Sequence, residues 1–130
     1  MKWQFENGLE LKRARMSKAI QAFGVYVDQP TTDPRAIYSS TTGFYRVGLP
    51  EVVVLNQERD QAHHVLVGLF VGRQLGFAEV AVESTVRDLF QQNAVFRKLN
   101  LQEKQKYCMA TRLYKGDWDF DALEMFSERR

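Results

Sequence analysis

Cysteine occurs once in the chain, at Cys108, so no intramolecular disulfide can form and the composition favours a reducing compartment. Histidine occurs twice, as the neighbours His63 and His64. Adjacent helical residues point about 100° apart, and no second histidine stands four residues from either one. The helical zinc motif is therefore missing, and Asp60 with His64 is only a two-ligand start. An excess of one charge sign is missing too. The 18 Lys and Arg against 16 Asp and Glu leave +2, too near neutrality for the basic footprint of a nucleic-acid protein. Long apolar runs are absent: Val65 to Val71 falls far short of the roughly 20 residues that span a membrane. Lys2, Gln4 and Glu6 interrupt the apolar residues after Met1, so no signal peptide is expected. A nucleophile elbow, a P-loop, a dinucleotide fingerprint and calcium-loop spacing are all lacking. These absences lead to the expectation of a cytoplasmic protein with no cofactor, no metal and no membrane partner.

The chain has 130 residues, 45% of them apolar and 12% aromatic, enough for a single domain over 1–130 with one core built from large side chains. Leu9, Met16, Ile20 and Phe23 recur at helical spacing, Lys12, Arg13, Arg15 and Lys18 cover the other face, and Gly24 is a natural stop. The basic face reads as solvated rather than as a phosphate-binding surface. Gly24–Val27 and Ala36–Thr42 read as strands around a Pro- and Asp-rich turn, and Gly43–Gly48 turns the chain back. Val52–Leu55 is continuously apolar, as in a strand covered on both faces. Asn56 is the expected N-cap of a helix ending at Gly76. Along it, Gly68 and Gly72 are expected to form a close-packing strip, because a mid-helix glycine costs about 1 kcal/mol relative to alanine and something should offset that.

Further strands are expected at Phe77–Val82, Ala94–Leu99 and Trp118–Phe126, with one helical turn within Ser84–Phe90 and a helix from the cap Asn100 to about Leu113. In the last strand Asp119 and Asp121 oppose Trp118 and Phe120, which reads as an edge protected by charge. The fold class is α+β: one mixed, partly antiparallel sheet of five to six strands with three helices packed on it.

The candidate site is the stretch from Tyr38 to Glu51, which gathers hydroxyls (Tyr38, Ser40, Thr41, Thr42, Tyr45) beside Arg46 and Glu51; Glu124 of the closing strand adjoins it. Strand alternation puts Ser40 and Thr42 on one face and Ser39 and Thr41 on the other, so one pair must face the core or a cleft. Buried hydroxyls need partners, and either Glu51 or a ligand could serve. Thr as a strand former, with Pro50-Glu51 ending a turn, is the competing structural reading. Cys108 reads as structural, since both histidines lie on another helix.

Ser40-Thr41-Thr42-Gly43-Phe44, then Gly48-Leu49-Pro50-Glu51-Val52, and Ala62-His63-His64-Val65-Leu66 followed by Gly76, resemble domain-of-unknown-function family 4262 over roughly Ala19 to Phe126. That family reads Tyr-Thr-x-Gly-Leu, a short turn, Pro-Glu, an apolar strand, then a helix with Ala-His-x-Leu-Leu. Ser40 stands where the family prefers Tyr, and Glu124 where Gln is expected. The resemblance implies the fold and no reaction. It implies bacterial or phage origin, and with it a host-modulating or counter-defence inhibitor as one competing role.

The leading reading is a non-catalytic binding or regulatory module that recognises a protein or small ligand through Tyr38–Glu51. A small enzyme using Glu51 with Arg46 competes with it, and a weak nucleic-acid binder ranks below both. A homodimer stays open.

Overall fold

Six strands and four α-helices make up the described residues of the computed structural model, which are 2–29, 35–76, 80, 85–86 and 94–127. The order along the chain is α1 (Lys2–Phe23), β1 (Tyr26–Asp28), β2 (Arg35–Thr42), a 3-10 turn (Phe44–Val47), β3 (Glu51–Glu58), α2 (Arg59–Gln74), β4 (Thr85–Val86), β5 (Ala94–Lys98), α3 (Leu101–Tyr107), α4 (Met109–Lys115) and β6 (Ala122–Ser127). The sheet runs β1-β2-β3-β6-β5-β4. Only β3 and β6 are parallel; the other neighbours are antiparallel. The expected α+β class with a mixed sheet is what the chain adopts.

The continuous apolar run of β3 has the expected cause. Val52 and Val54 pack with Val65, Leu66, Leu69 and Phe70 of α2 on one face, and Val53 packs with Leu99, Cys108, Phe120 and Ala122 on the other. A strand covered on both faces needs apolar side chains at successive positions. In α1, Met16 and Ile20 are buried as the spacing requires, but Phe23, the last residue of the helix, is 74% exposed.

Several expected elements differ. Asn56 lies inside β3 with φ +55, a backbone state that Asn tolerates better than most residues. Glu58 caps α2 instead, accepting from the amides of Asp60 and Gln61. The expected third helix is broken at Cys108 into α3 and α4; its start is as read, with Asn100 and Glu103 forming a capping box. Thr85–Val86, expected in a helical turn, pairs with β5. Most of the expected strand Phe77–Val82 and part of the Asp28–Pro34 turn lie outside the described residues.

The closing strand starts at Ala122 rather than Trp118 and is no edge: β6 lies between β3 and β5. The exposed Asp119 and Asp121 precede it, in the loop that enters the sheet. Close packing at Gly68 is also overturned, since a Cβ there would meet nothing within 4 Å. No helix among the described residues is long and apolar enough to cross a membrane.

Candidate functional site: a buried carboxyl clamp

The 3-10 turn between β2 and β3 leaves its first amides without intrahelical partners. Glu51 meets that need from within. Its Oε1 accepts from Thr41 Oγ1 at 2.7 Å and the Phe44 amide at 3.2 Å, and its Oε2 from the Tyr45 amide at 2.8 Å and the Gly43 amide at 3.3 Å. Pro50 fixes the approach of the chain, and the Glu51 amide donates to Asp121 O at 2.9 Å, which ties the clamp to β6. The β2–β3 pairing ends at Ser40 and Val53; the next β3 amide, Val52, donates to Thr41 Oγ1 at 2.9 Å. The Thr41 hydroxyl thus donates to the carboxyl and accepts from the strand.

A second bridge holds α4 to the same turn. Thr111 Oγ1 donates to Thr41 O at 3.0 Å and lies 2.7 Å from Thr42 Oγ1. Thr111 has one hydroxyl proton and spends it on Thr41 O, so Thr42 is the donor in that pair. Sequence reasoning missed Thr111; the only signal was a hydroxyl at a helix position facing the core.

Glu51 has no exposed surface. Burial pushes its carboxyl up to about 7, against four donors that pull it down. Arg46, the expected partner, is exposed, and its guanidinium makes no hydrogen bond or ion pair among the described residues. Tyr45 joins the clamp through its amide, and its ring sits 5.7 Å from Lys115 Nζ. Tyr38 is half-buried and edge-on to Tyr107. Ser40 is buried, and its hydroxyl meets no partner among the described residues.

Glu124 belongs to a separate cluster. It is buried in β6 and accepts from Arg97 Nη2 at 3.0 Å and Nε at 3.2 Å. The same guanidinium binds Glu103 at 2.7 Å, and its hydrogen bonds hold the Glu103 carboxyl below its usual range. Arg97 therefore staples β6 to the start of α3. Arg97→Met is expected to lower stability by about 2–3 kcal/mol, because the buried Glu124 loses the two Arg97 hydrogen bonds while the 44% exposure of Arg97 lets water recover part of the loss. Urea unfolding checks this; a change under about 0.5 kcal/mol would mean water already screens the pair.

The histidines and Cys108 lie on separate elements. His63 and His64 are both exposed on α2. Cys108 is fully buried, and burial pushes its thiol up to about 12, so no thiolate forms at neutral pH. No group of three or more metal-ligating side chains occurs among the described residues.

Thr41, Gly43 and Glu51 are joined by hydrogen bonds in this clamp, and Pro50 immediately precedes its carboxyl residue. No family model, curated protein or solved structure matches the chain.

Proposed function

We propose that the chain is a non-catalytic, cytoplasmic binding module whose ligand is a small molecule with an apolar body and an anionic head. The cleft between α1 and α4 carries this reading. It encloses about 460 Å³ and is walled by Leu9, Met109, Leu113 and Trp118, with Lys12 and Arg112 at its margin. Ligand sites are typically concave, mostly apolar and edged by a few polar groups, in this size range. Lys12 is already paired with the buried Asp28 at 3.0 Å, so Arg112 is the cation left to meet an anion.

The clamp supports the same reading by subtraction. Its acceptors are taken by internal donors and Glu51 has no exposed surface, which favours recognition elsewhere on the surface. The resemblance to domain-of-unknown-function family 4262 is compatible with this, because the clamp residues it shares would then be structural. The nucleic-acid reading is weakened by internal use of the cations: Arg97 and Lys115 are in ion pairs, and Lys104 binds the carbonyls of Trp118 and Phe120.

Anilinonaphthalene sulfonate is the test probe, with decanoate as competitor. Saturable micromolar binding is expected, displaced by decanoate, weakened about tenfold by Arg112→Gln and abolished by Leu113→Trp, which fills the cleft. Equal binding by wild type and both variants would place the probe elsewhere and overturn the proposal.

A further inference from the structure

A second surface, independent of the α1–α4 cleft, lies at the β1 end of the sheet. Strand β1 is the terminal strand, and among the described residues it pairs only with β2. A cavity of about 410 Å³ runs beside it, lined by Val25, Tyr26 and Val27. Successive strand residues point to opposite faces. Tyr26 and Val27, neighbours in β1, both line the cavity, so it follows the edge of the strand rather than covering one face. Two helices form its sides: Ala19 and Phe23 from α1, His63 and Val67 from α2. Phe23 is 74% exposed at the rim. An adjoining hollow shares Ala19 and Phe23 and adds Arg15 and Lys18.

We infer that this edge groove docks an extended acidic peptide segment of a partner protein, which adds a strand to β1. Three observations meet in it. Backbone amides and carbonyls along the β1 edge that meet no partner among the described residues are the groups that bind an incoming backbone. The apolar pocket between Phe23 and Val67 takes one side chain of an alternating sequence. Arg15 and Lys18 lie along the α1 side, where acidic side chains of the same segment would meet them. A second copy of this chain is a poorer occupant, because a two-fold contact at this edge brings Arg15 and Lys18 toward their own counterparts. A flat membrane surface would leave the concave pocket beside β1 unfilled.

The probe is a fluorescein-labelled hexapeptide of alternating glutamate and leucine, compared by anisotropy with its lysine–leucine counterpart and an N-methylated version. The acidic peptide is expected to bind at least roughly tenfold more tightly than the basic one, with affinity falling as salt rises. N-methylation should abolish binding by removing the strand-pairing donors. Arg15→Glu with Lys18→Glu should reverse the charge preference, with near-ultraviolet circular dichroism confirming that the variant is folded. Equal affinity for the two charged peptides overturns the inference, as does insensitivity to N-methylation. Failure of the acidic peptide to bind while the protein sediments with phosphatidylglycerol vesicles would assign the face to a lipid surface. Failure to bind together with dimerisation in light scattering would assign it to a second copy.

Discussion

Glu51→Ala is expected to lower stability by about 4–6 kcal/mol, enough to unfold much of the protein at physiological temperature. The substitution removes the acceptor of four buried donors: the Thr41 hydroxyl and the amides of Gly43, Phe44 and Tyr45. Each buried donor left without a partner costs about 1–3 kcal/mol, and the vacated volume adds a cavity cost on a side chain with no exposure. Water entry would relieve part of this, so the individual costs do not sum in full. Chemical denaturation gives the number. A loss under about 1 kcal/mol would show that the amides find water readily and that the clamp is not structural.

Glu51→Gln asks a different question of the same site, through pH. Burial places the native carboxyl at about 7, above its ordinary value of 4.5. The native state then binds a proton more tightly than the unfolded chain, so this group's contribution to stability falls as pH rises from 4.5 to about 7 and is level on either side. Across that window the wild type should lose on the order of 3 kcal/mol from this group. Glutamine does not titrate, so the slope should vanish in the variant. Near pH 5 the amide turns donor hydrogens toward amides that are themselves donors, and the variant should be about 1–3 kcal/mol less stable. Toward pH 8 the gap should close. Parallel pH curves for the two proteins would mean that the four donors outweigh burial and that Glu51 stays ionised throughout.

The parts of this fold legible in the sequence were those set by local pattern. The run Val52 to Leu55 and the cap at Asn100 are local signals, and both elements formed where those signals lay. Asn56 misled because Asn suits the two positions for different reasons: its side-chain oxygen caps helix amides, and its backbone tolerates the left-handed angles found here. The acidic loop before β6 misled for another reason. Charge near a strand marks an edge only if the strand is one, and the parallel pairing of β6 with β3 is decided far away in sequence. The clamp was half legible. Glu51 beside Thr41 was visible as a carboxyl needing donors, but Arg46 was the obvious partner in sequence. The donors that satisfy Glu51 are mostly backbone amides, which carry no residue identity to read. Glu124 was grouped with this site and instead sits with Arg97 and Glu103, again through strand order.

Gly43→Ala is expected to cost about 3–5 kcal/mol, a large effect for the addition of one methyl group. Gly43 has φ +127, which side-chain-bearing residues rarely adopt, and a Cβ built there would lie 2.4 Å from Gly24 O and 3.2 Å from Val25 Cα. Both neighbours are backbone, so neither can swing away as a flexible side chain would. The close approach is where the end of α1 meets the clamp, and Gly24 is hemmed in as well: a Cβ on it would lie 2.6 Å from a ring carbon of Phe70. Relief at Gly43 therefore means moving the turn outward, which draws its amide off Glu51 Oε2 and loosens the contact between α1 and the sheet. Gly48 supplies the control. It too has a positive φ, +79, but a Cβ there would meet nothing within 4 Å. Gly48→Ala should cost only about 1 kcal/mol, the ordinary penalty of a left-handed backbone. The excess at Gly43 combines the steric contact with a backbone state outside the left-handed well that Gly48 occupies. Equal costs at the two positions would mean that the turn can move away from Gly24 freely and that the junction of α1 with the clamp is not close-packed.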